Sequence, residues 1–95
     1  MKKYEIMYIL KSTLEEADRK AEIEKLAKLL TNNGAKVTKT NEWGARDLAY
    51  EIKKEKKGYY VVLKVEAEPA ALKEFDRLTK IDSNVLRFLI TVDHE

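Results

Sequence analysis

The chain has 95 residues and a formal net charge of +2, with 44% hydrophobic and 38% charged residues, which predicts one folded domain over residues 1–95 rather than a disordered segment. It contains no cysteine, which excludes disulfides and thiolate metal sites and suits a reducing cytoplasm. No apolar run approaches the length of a membrane span. With 19 Lys and Arg residues against 17 Asp and Glu residues, binding to a polyanion requires segregated charge.

The chain opens with a strand-like segment followed by a helix-like one. Residues 3 to 10 alternate, with Tyr4, Ile6, Tyr8 and Leu10 on one face and Lys3, Glu5, Met7 and Ile9 on the other. An apolar stripe of helical period then comprises Leu14, Ala17, Ala21, Ile23, Leu26, Ala27 and Leu30. Asn33-Gly34 ends the predicted helix, because glycine suits the left-handed backbone position that follows a helix.

A long extended segment and a lysine-rich turn follow. The segment runs from Val37 to Ile52, and Gly44 predicts a bulge or bend within it. Its period-2 alternation among apolar neighbours favours a core position for Tyr50 over a contact with a partner. The turn carries Lys53, Lys54, Lys56 and Lys57. Gly58 is expected to supply the permissive turn backbone. Cations beside aromatic rings suit contact with nucleic acid. Taken alone, however, this turn is most simply a solvated hairpin tip, since lysine-rich loops are common.

The second half repeats the order of the first. A strand from Tyr59 to about Glu66 precedes a helix that begins at Pro69, a residue favoured in the first turn. Leu72, Phe75 and Leu78 form the buried side of that helix. After a break at Ser83-Asn84, the last strand runs from Val85 to Val92.

This order predicts an α+β, ferredoxin-like split βαβ fold (βαββαβ), a four-stranded antiparallel sheet with two helices on one face. The strands at Tyr4–Leu10 and Tyr59–Glu66 are expected at the centre, with the other two at the edges. The face without helices would collect Met7, Ile9, Val62 and Leu89, along with Glu5, Lys64, Arg46 and Arg87. Apolar residues there indicate a protein or nucleic-acid partner, or only ordinary surface tolerance.

The sequence gives no sign of an enzyme, a metal site or a cofactor site. The single histidine, His94, lies beside the C-terminus, and no zinc motif or Walker glycine loop is present. The first strand-to-helix turn, residues 11–14, has no glycine to wrap an anion, which argues against a phosphatase-type use of the fold. The sequence also does not match an RNA-recognition motif, because Val61 and Lys64 stand where that motif has aromatic rings that stack on bases.

Several short motifs together carry a family resemblance. They are Tyr4-Glu5, the run Gly44-x-Arg46-x-Leu48-Ala49-Tyr50-x-Ile52 with Trp43 ahead of it, Gly58-x-Tyr60 and Val85-x-Arg87. With them, essentially the whole chain resembles the bacterial ribosomal protein S six family. The resemblance implies a cytoplasmic structural constituent of the small ribosomal subunit. It also implies binding to the central domain of 16S ribosomal RNA together with ribosomal protein S eighteen.

The resemblance, with charge and position, suggests two groups of contact residues. Contacts to ribosomal RNA are expected from Lys3, Tyr4, Lys53, Lys54, Lys56, Lys57, Tyr60 and Arg87. Contacts to the partner protein are expected from Arg46, Trp43, Met7, Val62 and Leu89. Tyr4 has an equal claim to a core role, and both arginines could instead form ion pairs near Glu5. The alternative function is a stand-alone protein-interaction or ligand-binding module of the same fold.

Overall fold

The computed structural model describes residues 2–93, so the histidine at position 94 lies outside the described residues. The elements are β1 (Lys2–Lys11), α1 (Glu16–Asn32), β2 (Lys36–Ile52), β3 (Glu55–Ala67), α2 (Pro69–Lys80) and β4 (Val85–Val92). The strands form one antiparallel sheet in the order β2-β3-β1-β4. The predicted βαββαβ order is confirmed, and so are the two central strands and the two edge strands.

The two faces of the sheet follow from the period-2 alternation of the central strands. Ile6 of β1 pairs with Leu63 of β3, and Tyr8 pairs with Val61, so their side chains share one face. These residues are fully buried in a core cluster with Leu26, Leu30 and Phe75 from the helices. Each such side chain contributes about 1.5–3 kcal/mol of burial free energy. We call this helix-covered side the back face and the opposite side the front face.

The helix α1 buries most of the apolar stripe that the pattern predicts, but not its two N-terminal alanines. Its buried positions are Glu22, Leu26 and Leu30, whereas Ala17 and Ala21 are exposed. The alanines match the helical period but offer little surface to bury, so the longer side chains decide which way the helix faces. The predicted end of the helix is confirmed, because Gly34 has a φ of +85°.

The β2–β3 hairpin contains the predicted bulge and an unexpected turn. The pairing shifts between Glu42 and Gly44, where Gly44 has a φ of +90°, which confirms the bulge. The turn consists of Lys53 (φ 49°) and Lys54 (φ 67°) between the paired residues Ile52 and Glu55. Two positive φ values match the twist of a two-residue hairpin, although residues other than glycine, asparagine and aspartate are uncommon there. The expectation that Gly58 provides the turn backbone is therefore wrong.

Glycine is needed at position 58 because a side chain there would overlap its neighbours, and not because the turn needs its backbone conformation. It is buried within β3, and a Cβ atom there would overlap the Cγ2 of Ile9 and lie 3.3 Å from the Cδ2 of Leu48. Both neighbours lie on the front face. The missing side chain at Gly58 therefore lets Leu48 fold down against β1.

We expect Gly58→Ala to lower the free energy of unfolding by about 1–3 kcal/mol, because overpacking forces the neighbours to shift. Urea denaturation measures the loss. In an Ile9→Leu background the Cγ2 methyl group of residue 9 is absent, so Gly58→Ala should lower the free energy of unfolding by a smaller amount. Equal costs in the two backgrounds would contradict the steric explanation.

Candidate protein and nucleic-acid interface

A curled hairpin arm, residues 48–57, lies across one end of the front face. The pairing of β2 with β3 passes directly from Asp47–Lys57 to Ile52–Glu55, so the strand leaves regular register here. The Nζ of Lys53 donates to the backbone oxygen of Val85 at 3.3 Å. The arm therefore extends past β1 and reaches the beginning of β4.

The position of Tyr50 corrects the sequence-based expectation. Its side chain is 58% exposed, and its hydroxyl accepts a hydrogen bond from the Nη1 of Arg87. The prediction of a core position is wrong because the irregular pairing in β2 breaks the alternation on which it rested. Tyr50 and Arg87 instead join the arm to β4. No local pattern in the sequence points to this contact across 37 positions.

The arm covers part of the front face and encloses a small apolar cavity. The cavity has a volume of about 200 Å³, and its lining includes Met7, Ile9, Leu48 and Leu89. Ile9 is only 5% exposed although it points away from the helices. The chain therefore protects the centre of its front face with its own hairpin arm.

An aromatic stack stands beside the covered region. The rings of Trp43 and Tyr60 are nearly parallel, with an interplanar angle of 8° and centroids 6.4 Å apart. The guanidinium of Arg46 lies 5.2 Å from the centroid of Trp43. Trp43 is still 48% exposed, and Leu89 on β4 is 51% exposed. A half-exposed aromatic ring held in place by its neighbours is typical of an anchor at a protein interface.

The structure brings the predicted partner-protein residues together on the front face. Met7 is paired with Val62 on one side and with Leu89 on the other. Trp43 and Arg46 adjoin this row through the stack on Tyr60. Val62 is 4% exposed and therefore lies beneath the surface that a partner would meet.

The predicted RNA-binding residues fall into separate groups. Lys53, Lys54, Lys56 and Lys57 are all exposed on the hairpin arm, close to Arg87. Lys3 and Tyr4 lie toward the opposite end of β1, roughly 25 Å away at about 3.3 Å per residue. Tyr4 is half-buried against the core cluster, in agreement with its core interpretation. Tyr60 stands with the partner-protein group.

The described residues show neither a metal-binding cluster nor a membrane-spanning helix. Within residues 2–93, no group of three or more His, Cys, Asp or Glu side chains could hold a metal ion. Neither helix of that part of the chain combines the length and the apolar content that crossing a membrane requires.

Comparisons with known proteins agree with the fold and the motifs. A family model described as ribosomal protein S6 matches residues 3–91. The chain belongs to the ribosomal protein S6 family. Small ribosomal subunit protein bS6 of Halalkalibacterium halodurans is 55% identical over 95 residues, which is 100% of both chains.

The solved structure of a family member shows the same fold. The crystal structure of 30S ribosomal protein S6 from Thermotoga maritima matches with a TM-score of 0.92 at 26% identity, covering 97% of this chain and 87% of that chain. The family resemblance and the ferredoxin-like fold are thereby confirmed. The chain is a ribosomal protein of the small subunit and not an enzyme.

We expect Tyr50→Phe to loosen the hairpin arm with little loss of global stability. The hydrogen bond that it removes is exposed, so its net cost should lie near the lower end of about 0.5–1.5 kcal/mol. Amide hydrogen exchange should accelerate at residues 48–52 and stay unchanged in β1. Tyr60→Phe, which keeps the ring stack, is the control and should leave exchange in the arm unaltered.

Proposed function

We propose that this chain binds the central domain of 16S ribosomal RNA together with ribosomal protein S eighteen. The observation that carries the proposal is the juxtaposition of a lysine-rich hairpin arm with a half-exposed aromatic and apolar surface on one face. Membership of the ribosomal protein S6 family supports it. One surface meets a polyanion and the neighbouring surface meets a protein, so both partners are held at the same side of the domain.

The RNA contact is made by charge and shape. The hairpin arm has four exposed lysines and two acidic residues, Glu51 and Glu55, so it concentrates positive charge that the whole chain lacks. Lysines on an exposed turn neutralise phosphates and release counterions. The ring of Tyr60 is already stacked on Trp43 within the protein, which favours phosphate and shape recognition over base stacking.

The protein contact is made by the rest of the front face. The side chains of Trp43 and Leu89 are about half exposed, and the residues between them are already packed. A partner would therefore remove anchor side chains from water without first ordering the surface beneath them. Pre-organised surfaces of this kind lower the entropy cost of association.

Replacing Lys53, Lys54, Lys56 and Lys57 together with Gln should flatten the salt dependence of RNA affinity. Removing one lysine–phosphate pair lowers the log–log slope by about 0.7–0.9. Filter binding or fluorescence anisotropy at several salt concentrations, with the partner protein present, measures the salt dependence of RNA affinity.

The matched control makes the same charge change at four exposed lysines outside the arm, Lys20, Lys28 and Lys73 of the helices and Lys36 at the start of β2. The first three lie on the helices of the back face, and Lys36 pairs with Glu66 at the far end of the sheet from the arm, so the slope should not change. The same reduction of slope in both variants would show bulk charge, rather than the hairpin arm, to be responsible.

Trp43→Ala should weaken binding to ribosomal protein S eighteen by about 2 kcal/mol or more, roughly 30-fold, because it removes a half-exposed aromatic anchor. Isothermal titration calorimetry gives the affinity, and urea denaturation gives the accompanying loss of stability. Ile81→Ala removes a side chain that is 76% exposed outside the front face and should leave the affinity unchanged. Equal effects of the two substitutions would contradict the proposed partner surface.

Concentration-dependent homodimers that bind neither partner would indicate a stand-alone interaction module.

A further inference from the structure

Two buried carboxyl groups and one lysine meet where α1 faces the turn between α2 and β4. Glu22 of α1 is 5% exposed, and the side chain of Asp82 in the turn is 7% exposed. The Nζ of Lys25 lies 3.0 Å from the Oδ2 of Asp82 and 3.6 Å from the Oε2 of Glu22. Both carboxyl groups therefore lie against the same ammonium group. We call Glu22, Lys25 and Asp82 the carboxyl cluster.

The carboxyl cluster holds one more acid than base, and its two acids are not equivalent. Asp82 accepts the backbone N–H of Asn84 at 3.0 Å as well as the ammonium of Lys25. The Oε1 of Glu22 is buried and has no hydrogen-bond partner among the described residues. A buried carboxylate without such partners is costly, whereas a neutral carboxylic acid is tolerated. The proton therefore belongs on Glu22.

We propose that Glu22 and Asp82 share one proton and form a pH-operated latch between α1 and the α2–β4 turn. When the proton is present, the Glu22 hydroxyl donates to the Asp82 carboxylate and joins the two elements. When it leaves, two carboxylates remain in contact with a single lysine. Their repulsion and their desolvation then favour separation of α1 from the turn.

The surrounding charged and titratable groups do not replace the shared proton. On α1 they are Arg19, one turn earlier, and Lys25; on the sheet they are Tyr8 of β1 and Glu42 of β2. Arg19 lies over the ring of Tyr59, 4.2 Å from its centroid. Burial raises the pKa of Tyr8, with smaller contributions from Glu42 and Glu22, so this hydroxyl stays neutral.

The pKa directions agree with this geometry. Burial, followed by the hydrogen bond and charge of Asp82, raises the pKa of Glu22 from 4.5 to about 7, although Lys25 opposes the rise. Burial by itself would raise the pKa of Asp82. Hydrogen bonds from Glu22, from the Asn84 amide and from Lys25 outweigh burial and hold this pKa below its ordinary value of 3.8. Glu22 thus contributes stability that is complete below pH 4.5 and is lost as the pH rises through about 7.

The turn that carries Asp82 leads directly into β4. The backbone N–H of Val85 donates to the oxygen of Asp82 at 3.2 Å, and that of Lys11 donates to the oxygen of Asn84 at 3.0 Å. The turn held by the carboxyl cluster is therefore also the turn that aligns β4 with β1. Opening of the latch should loosen this corner before the centre of the sheet.

The decisive experiment is an NMR titration of the side-chain carboxyl carbons in the full chain. We expect a midpoint near 7 for Glu22. An ordinary midpoint for Glu22 would overturn the proposal, and this readout needs no variant to fold.

Urea denaturation between pH 5 and 8 provides the second test. The unfolding equilibrium constant should rise with pH, with a limiting slope of about tenfold per pH unit for a single proton. Glu22→Gln, whose amide can still donate to Asp82, should remove this part of the slope. Glu24→Gln, the matched control, should retain it. A slope that persists in the Glu22→Gln variant would contradict the shared proton.

Discussion

A four-stranded sheet that carries both helices on one face leaves its other face without helices. In this protein the hairpin arm covers part of that face, and the close packing of Ile9, Leu48 and Gly58 makes this cover possible. The arm reaches β4 through Lys53 and Tyr50. The part of the front face around Trp43 and Leu89 remains exposed to solvent. The placement of every proposed contact depends on how far the arm extends over the front face.

The same arm concentrates charge without making the chain strongly basic. The whole chain has a net charge of only +2, but four lysines lie on one exposed hairpin. Because electrostatic attraction to phosphate falls off over a Debye length of about 8–10 Å, local density matters more than net charge. The two-residue turn with positive φ values presents these lysines from an ordered hairpin rather than from a long loop.

Polar groups act differently at the surface and beneath α1. Exposed pairs such as Lys20 with Glu16, at 3.2 Å, contribute little because water screens them. The carboxyl cluster is different, since its acids are almost completely buried and outnumber the base that they share. Burial turns an ordinary helix glutamate into a group that titrates near neutral pH.

The sequence alone determined the element order, the central strands and the family, because alternation, helical period and the run from Trp43 to Ile52 are local signals. It also located the lysine turn and the bulge at Gly44. Only the tertiary structure decided that Tyr50 is exposed, that positive φ falls on Lys53 and Lys54, and that Glu22 is buried. These features depend on bulged pairing and on contacts between residues distant in the chain. A local pattern cannot encode them, because one irregular pair reverses the side on which every following residue lies.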